Sequence, residues 1–463
     1  MTRLRSAIPL ILLLLALPAL GLQCRKASPP APVKLTYWRV FDEPNTMSDI
    51  IAAYKARHPH VSIQYRKLRL EEYEQQFLEA LAEDRGPDIF SIHNTWIGKY
   101  ESKIAPVPPT TSVTEQRVEG TIKKEVIYEL NTVPAITPAT LRKNYLDVVA
   151  SDVIRTGQQP GAKAGKTAER ILGLPLALDT LVMFYNRDIL NNAGIVNVPE
   201  DWVEFLDAVA KITRFDEQGN IVVAGAALGT ANNIPRFSDI LSILMMQNGA
   251  VMADSQGRAT FHMPAQRAAT PGYRPGLEAL RFYTDFASPT KQAYAWNATM
   301  PDALDAFTAG KVAFFFGYAY HIPTLKARTP QLRWNIAPLP QTDAERNRVN
   351  FANYWVETVS AKSKHQNEAW DFLQFATRAD QATKYLAKTG KPTALRSLIE
   401  RQQQDPALES FAGQLLTAKS WYRGRNAAYA EAALAELVGS VLTGAEKLEA
   451  ALGRAVSKIN QTR

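Results

Sequence analysis

An alternation of short extended segments and amphipathic helices near the start of the chain limits the folds open to it. Lys34–Val40 and Val61–Lys67 alternate in polarity and are rich in aromatic and β-branched residues, which predicts strands. Ser48–His58 and Leu70–Asp84 each place apolar residues on one helical face, and a third strand is predicted at 88–92. Because a β-α-β-α-β order requires parallel strands covered by helices, we predict an α/β fold.

Two loops follow the first and third predicted strands. In a parallel sheet, ligands bind beyond the carboxyl ends of the strands, so these loops should share one site. The first loop, Phe41–Asn45, and the second, His93–Trp96, are rich in acids, amides and aromatic rings. The candidate side chains in the two loops are Asp42, Glu43, Asn94, Thr95 and Trp96.

The segment Leu172–Ile195 has an unusual composition. Its part from Leu174 to Tyr185 is apolar apart from Asp179 and Thr180, which predicts extended backbone buried on both faces. A carboxylate in such a run is costly unless it has a partner. Asp179 is therefore either paired structurally or placed to contact a ligand.

Six strings in the chain form an ordered set. They are Gly86-Pro87-Asp88-Ile89 with Trp96; the run from Gly173-Leu174-Pro175 through Tyr185-Asn186-Arg187-Asp188 to Trp202-Val203-Glu204-Phe205; Gly310-Lys311-Val312-Ala313 followed by Gly317 and an aromatic; Ser360–Leu373; Gly390-Lys391-Pro392-Thr393; and Leu448–Leu452. Together they resemble the extracellular solute-binding proteins of sugar-type ABC importers, the family that includes maltose-binding protein. The Gly390 string has one residue fewer before its proline than the family pattern. The resemblance covers nearly all of Lys34 to Ile459.

The resemblance implies a two-lobed periplasmic-binding-protein type II fold with a hinge and an interlobe ligand cleft that closes on its ligand. We expect lobe I at 34–178 plus 357–405 and lobe II at 179–356 plus 406–463. The segment around Asp179 would cross the hinge, and a second crossing would lie near Tyr354–Glu357. The resemblance also implies the partners: a carbohydrate ligand and the membrane permease of an ABC importer.

The predicted ligand-binding residues suit a sugar. Hydroxyl groups both donate and accept hydrogen bonds, so acids, amides and guanidinium groups can hold them, while aromatic rings pack on the C–H face of a pyranose. The full set is Asp42, Glu43, Asn94, Thr95, Trp96, Asp179, Asn232, Arg236, Tyr318, Tyr320, Asn353, Tyr354 and Trp355. The alternatives are solvated surface for the charged loop residues and core packing for Tyr318.

The N-terminus has the pattern of an export signal. Arg3 and Arg5 precede an apolar run, Ala7–Leu22, and the chain's only cysteine, Cys24, follows at once. We predict a signal peptide at 1–23, a lipidated Cys24, a tether at 24–33 and an extracytoplasmic, membrane-anchored protein. Gly21-Leu22-Gln23 fits a lipoprotein cleavage site poorly, so ordinary cleavage nearby or a retained anchor stays open. With one cysteine, no intrachain disulfide can form.

The composition and missing motifs exclude several classes. The 463 residues, of which 46% are apolar, suffice for two or three domains. The charge of +8 is spread along the chain without the basic and aromatic interleaving of nucleic-acid binders. A phosphate-binding glycine loop, His-Glu-x-x-His, Gly-x-Ser-x-Gly and Cys-x-x-Cys are all missing from the sequence. We therefore expect a monomeric binding protein with no catalytic residues, metal or cofactor.

Two alternatives and one unassigned segment remain. Glu43 and Asp179 could form the acid pair of an exported carbohydrate hydrolase. The same fold could instead take a polyol, a peptide or a phosphodiester. The proline-punctuated connection 106–170 is interpreted as a surface excursion, and the sequence assigns it no role.

Overall fold

The computed structural model describes residues 29–158, 167–265, 270–345 and 347–463. Cys24 and the predicted signal peptide lie outside this part of the chain. In the described ranges, no helix is long and apolar enough to cross a membrane.

The strands are short and distributed along the whole chain. They are β1 (Val33–Val40), β2 (Val61–Leu68), β3 (Ile89–His93), β4 (Thr110–Glu119), β5 (Glu125–Pro134), β6 (Ile154–Gln158), β7 (Thr167–Ile171), β8 (Asp179–Thr180), β9 (Val182–Asn186), β10 (Arg214–Phe215), β11 (Ile221–Ala226), β12 (Val312–Gly317), β13 (Trp334–Ala337), β14 (Asn350–Asn353), β15 (Trp355–Val359) and β16 (Ala418–Lys419).

The helices are distributed along the same described ranges. They are α1 (Asn45–Arg57), α2 (Leu70–Ala82), α3 (Ile97–Tyr100), α4 (Pro138–Asn144), α5 (Asp147–Val153), α6 (Arg187–Asn192), α7 (Trp202–Ile212), α8 (Phe237–Gln247), α9 (Pro275–Asp285), α10 (Ala303–Thr308), α11 (His321–Arg328), α12 (Gln366–Ala376), α13 (Ala379–Thr389), α14 (Ile399–Gln403), α15 (Glu409–Ala412), α16 (Ala427–Leu442) and α17 (Leu448–Asn460).

The first sheet has the strand order β15-β3-β1-β2. β1 pairs in parallel with both β2 and β3, and β15 joins antiparallel to β3. This confirms the α/β fold predicted from the alternation near the start of the chain. Helices α1, α2 and α12 contribute to a core that includes Tyr37, Phe77 and Trp370.

The second sheet has the order β10-β11-β12-β9-β13 and a core of its own. β12 is the middle strand, and its aromatic run Phe314–Phe316 pairs antiparallel with the apolar residues of β9. The run from Leu174 to Tyr185 was predicted to be buried extended backbone, and most of it is buried, with β8 and β9 as its regular strands. The backbone from Leu174 to Leu178 instead forms isolated bridges with Glu357 and Thr393, because it passes between two sheets.

Three chain crossings join the two halves. β8, β14 and β16 form a small separate sheet in the order β16-β14-β8. Leu178 packs in the first core and Leu181 in the second. At the second crossing the change lies between Phe351 and Ala352, before the expected limit at 356. The third crossing was expected at 405–406, whereas Ala412 and Ala418 still pack in the first core and Trp421 packs in the second. The lobe limits stay a prediction, and these contacts place the third change near β16.

The connection 106–170 is more structured than a surface excursion. It contains the hairpins β4–β5 and β6–β7 and the helices α4 and α5. Val113, Leu141 and Val149 from this connection are buried in the first core. The connection is therefore partly built into the first core, through contacts with residues that are distant in sequence.

Candidate functional site

An aromatic cluster lies where the first sheet meets the hinge. Trp355, at the start of β15, makes edge-to-face contacts with Phe41 at 5.7 Å, Trp96 at 5.6 Å and the ring of His93 at 5.8 Å. Phe41 follows β1, and Trp96 ends the short 3-10 turn after β3. The rings therefore converge at the carboxyl ends of parallel strands, where the topology predicts a ligand.

Phe41 is the most open member of this aromatic cluster. It is 52% exposed and has a left-handed backbone with φ of 66°, which is rare for a bulky side chain. Strain of this kind persists only where the surrounding structure holds it, and it gathers at functional sites. The sequence analysis did not select Phe41 as a binding residue, although its position directly after β1 was a usable signal.

Asp179 is partly buried at the hinge crossing. Its carboxylate accepts hydrogen bonds from the backbone N–H groups of Thr180 at 2.9 Å and Ala319 at 2.8 Å. Burial raises the pKa of Asp179 to about 7, more than these amides and Lys391 lower it. The hydrogen bond to Ala319 joins the loop after β12 to the crossing, so Asp179 touches the second half of the chain directly.

Asn353 and His93 form a polar pair beside Asp179. Asn353 faces Asp179 in the ladder between β14 and β8. The Thr95 N–H donates to Nδ1 of His93 at 3.4 Å, and His93 Nε2 lies 3.1 Å from the Asn353 side-chain oxygen. Burial and the positive charge of Arg236 lower the pKa of His93 to about 4, so the ring is neutral at pH 7. His93 is a second site residue that the sequence analysis missed.

Arg236 and Tyr320 belong to the opposite side of the cleft. Arg236 binds Asp239 through two hydrogen bonds of 2.8 Å, and the Tyr318 hydroxyl donates to the same carboxylate at 2.6 Å. Tyr320 is 48% exposed and stacks on Tyr318 at 5.7 Å. Tyr318 itself is fully buried, so it supports Arg236 and Tyr320 and does not reach the cleft.

Asn232 lies apart from these groups. It is exposed, and its amide donates to the carbonyl oxygen of Ala298 at 3.3 Å. It therefore steadies its own loop.

Asp42 is part of a buried ion network. Its carboxylate accepts from Arg39 at 3.1 Å, Lys391 at 2.6 Å and the Tyr385 hydroxyl at 2.8 Å. Burial alone would raise the pKa of Asp42, but Arg39 and Lys391 lower it below its usual value. Asp42 is buried and its charge is neutralised by side chains of its own lobe, and its predicted ligand contact stays a prediction.

Glu43 points in a different direction from its neighbour. It is exposed and forms an ion pair with Lys67. This is the solvated position that the sequence analysis held open as an alternative.

Asn94 and Tyr354 face away from the cleft. Both donate to the buried carboxylate of Asp152, at 3.0 and 2.7 Å, and Ser420 and Arg423 bind the same group. Side chains alternate along a strand, so Asn94 and Tyr354 lie on the opposite side from His93, Asn353 and Trp355. The structure therefore assigns them to a support behind the crossings.

A cavity of about 480 Å³ lies between the two halves of the chain, and its lining includes Ala319, Lys326, Lys388, Gly390, Arg401 and Leu408. Neither Asp179 nor the aromatic cluster lines it, so this cavity is separate from the site. Among the described residues, no group of three His, Cys, Asp or Glu side chains is placed to hold a metal ion. The site described above contains aromatic rings, a carboxylate, amides and a guanidinium.

The fold and the site define a two-lobed binding protein with a cleft at the hinge. The sequence matches the model of the bacterial extracellular solute-binding protein family over residues 49–410, and the chain belongs to that family. This confirms the family resemblance found in the sequence motifs.

Relatives and solved structures agree with this family. The chain is 24% identical over 237 residues to a multiple sugar-binding protein of Streptococcus mutans, covering 51% of this chain and 54% of that one. It is 20% identical to a galactooligosaccharide-binding protein of Bacillus subtilis, covering 84% and 78%. The crystal structure of a cyclic alpha-maltosyl-1,6-maltose binding protein from Arthrobacter globiformis superposes with a TM-score of 0.71 at 18% identity, covering 93% and 99%. The chain spans about half of the first curated relatives that it matches.

Proposed function

We propose that this protein is the extracytoplasmic sugar-binding component of an ABC importer, which binds a sugar or oligosaccharide between its lobes and delivers it to a permease. The observation that carries the proposal is the aromatic cluster of Phe41, Trp96 and Trp355, which is connected to Asp179 through His93 and Asn353. An apolar platform next to a charged acceptor matches a pyranose ring, which has an apolar C–H face and polar hydroxyls. The names of the Streptococcus, Bacillus and Arthrobacter proteins support a carbohydrate ligand.

The proposed contacts differ from the sequence-based set. Phe41, Trp96 and Trp355 would pack on the ring, and Asp179 with Asn353 would accept and donate at hydroxyls. Arg236 and Tyr320 would close on the sugar from the other lobe, with His93 and Thr95 between them. Asp42, Asn94, Tyr318 and Tyr354 would hold this surface in place.

Export and anchoring complete the proposal. Cleavage after Gln23 would expose Cys24 for lipidation and leave 24–33 as a tether, so that the protein stays at the membrane near its permease. Mass spectrometry of the mature N-terminus tests this step: an acylated Cys24 supports it, and a chain that begins downstream of Cys24 contradicts it.

A thermal-shift screen followed by calorimetry tests the sugar. A ligand that binds only the folded state stabilises it by about 2.7 kcal/mol at a hundredfold excess over Kd. We expect a shift with a galactooligosaccharide or a maltosyl oligosaccharide and none with sorbitol or a tripeptide. A shift produced by the peptide or the polyol alone would overturn the carbohydrate assignment.

The hydrolase alternative has weaker support. Glu43 is exposed and paired with Lys67, while the Asp179 carboxylate is held by two backbone amides. We propose a binding function without catalysis. Incubating the protein with the oligosaccharide that shifts its melting, and finding cleavage products by chromatography, would contradict this.

A further inference from the structure

The hairpin β4–β5 projects from the first lobe. Its strands pair over ten residues each, from Thr110 opposite Pro134 to Glu119 opposite Glu125. Only its base is packed: Val113 is buried in the first core, the Thr111 hydroxyl donates to Asp371 at 3.1 Å, and Glu115 pairs with Arg57 at 3.0 Å. An isolated two-stranded ribbon is marginal in water, so the outer half needs a surface to rest on.

The polarity of the hairpin is the reverse of the usual arrangement. Antiparallel strands normally turn their apolar side to the core and their charged side to water. Here the side that shares a face with buried Val113 carries the charged residues beyond the base, which are Glu115, Arg117, Glu119, Glu125 and Glu129.

The outward face of the hairpin has no charge. Beyond the first pair, Thr110 and Pro134, the register places on this face Ser112, Thr114, Gln116, Val118, Val126, Tyr128, Leu130 and Thr132. Val118 is 57% exposed and Leu130 66% exposed. At the apex, Ile122 is fully exposed and is followed by Lys123 and Lys124. The outward face is thus uncharged, with Val118, Val126 and Leu130 as exposed apolar side chains, and it ends in an exposed isoleucine and two cations.

The hairpin leaves the lobe at the end where the chain enters it. The Val33 N–H, at the start of β1, donates to His60 at 2.8 Å, and the ring of His58 contacts the Thr114 carbonyl at 2.8 Å. The cleft lies at the other ends of these strands. From Thr114 to Glu119 the ribbon extends about 17 Å. The chain from Cys24 to Val33 spans at most about 30 Å when extended. The apex is therefore within reach of a surface to which residue 24 is attached.

We propose that the outward face of hairpin β4–β5, with its apex, binds the surface of an anionic lipid bilayer. The strip from Leu130 to Val118 and Ile122 would enter the interface between headgroups and acyl chains, and Lys123 and Lys124 would meet the headgroup charge. The charged inward face would stay in water. This orientation leaves the ligand cleft on the far side of the lobe, open to solvent. The distance argument uses the proposed acylation of Cys24; the sugar assignment is not involved.

A second copy of the chain fits this face less well. A two-stranded face of this length measures about 34 Å by about 10 Å, so stacking two of them buries roughly 700 Å². Stable interfaces bury about 1,200–2,000 Å². A self-association contact would also leave the two apex lysines without an opposite charge on the outward face.

Vesicle co-sedimentation tests the proposal on the mature chain, residues 24–463 with Cys24→Ser, which carries neither the apolar run Ala7–Leu22 nor an acyl group. The vesicles contain equal parts of phosphatidylglycerol and phosphatidylethanolamine, with phosphatidylcholine vesicles for comparison. We expect the protein to sediment with anionic vesicles. The double variant Val118→Thr/Leu130→Thr should weaken this roughly tenfold or more, since each lost apolar contact is a substantial part of a weak affinity. Ile127→Thr, on the inward face, is the matched control and should bind normally.

A fluorophore at the apex of the hairpin gives a second test, which does not depend on whether the threonine variants fold normally. With Cys24→Ser, Ile122→Cys creates a single site for an environment-sensitive fluorophore, and Val196→Cys, at a position 92% exposed, is the control site. A blue shift on anionic vesicles at position 122 and none at 196 supports the proposal. No sedimentation and no shift would overturn it. The proposal would be overturned in favour of self-association if the protein did not bind vesicles, formed dimers in light scattering, and lost those dimers in the double variant.

Discussion

Asp179→Asn probes a carboxylate that is kept at the hinge at a cost in stability. Burial raises the pKa of Asp179 to about 7 from its ordinary 3.8, and the amides of Ala319 and Thr180 oppose only part of that rise. Because a tenfold change in a proton equilibrium is worth about 1.4 kcal/mol, ionising this group costs the unliganded fold at most about 4 kcal/mol.

The sign of the pH dependence follows from the raised pKa. The cost is absent below about pH 4, grows as the pH rises towards 7, and is complete above 7, where the folded-state carboxyl is ionised. Asn cannot ionise. The free energy of unfolding of the wild type should therefore fall relative to that of Asp179→Asn by up to about 4 kcal/mol between pH 4 and 8.

Ligand should reverse this cost in the wild type. Sugar hydroxyls that donate to the Asp179 carboxylate favour its ionised form, so binding lowers its pKa and releases a proton near pH 7. The affinity of the wild type should then rise as the pH increases through 7, while that of Asp179→Asn stays flat. At pH 8 we expect the substitution to cost roughly 1.5–3 kcal/mol of binding, about tenfold to over a hundredfold in Kd.

Urea unfolding at several pH values and calorimetry in two buffers of different ionisation enthalpy measure these quantities. Glu43→Gln is the control, since it removes a carboxylate that is exposed to solvent and paired with Lys67. A difference between wild type and Asp179→Asn that does not change with pH would refute the raised pKa. Unchanged affinity at pH 8 with lowered apo stability would show that Asp179 is a structural residue.

Other substitutions separate binding from support. Trp355→Ala removes the centre of the aromatic cluster and should weaken sugar binding by about 1–3 kcal/mol in calorimetry, with a smaller loss of apo stability; normal binding would contradict its place in the cleft. Asp42→Ala leaves Arg39 buried beside fewer partners and should cost about 3–5 kcal/mol of unfolding free energy, whereas the adjacent, exposed Glu43→Ala should cost under about 0.5 kcal/mol. Saturating sugar should lower the radius of gyration in small-angle scattering, and an unchanged radius would count against lobe closure.

Local pattern and order of motifs were enough to predict the fold class and the family. The strands and helices from Lys34 to Ile92 can be predicted locally, because the periodicity of a strand or a helix depends only on residues that are near each other in sequence. Asp179 could also be selected from sequence, since a lone acid in an apolar run has few explanations. The same reasoning placed Trp96 and Trp355 in loops and crossings that the structure brings together.

Only the tertiary structure decided which neighbouring side chains share the cleft. Asp42 is held by Lys391, and Asn94 and Tyr354 by Asp152, partners that are far away in sequence and invisible to any local pattern. Successive side chains at the end of β3 point to opposite sides of the sheet. His93 therefore faces the cleft and the adjacent Asn94 faces the Asp152 network behind it. The outward face of β4–β5 depends in the same way on register and on docking to α1 and α12, because a face becomes inner or outer only when something packs against it.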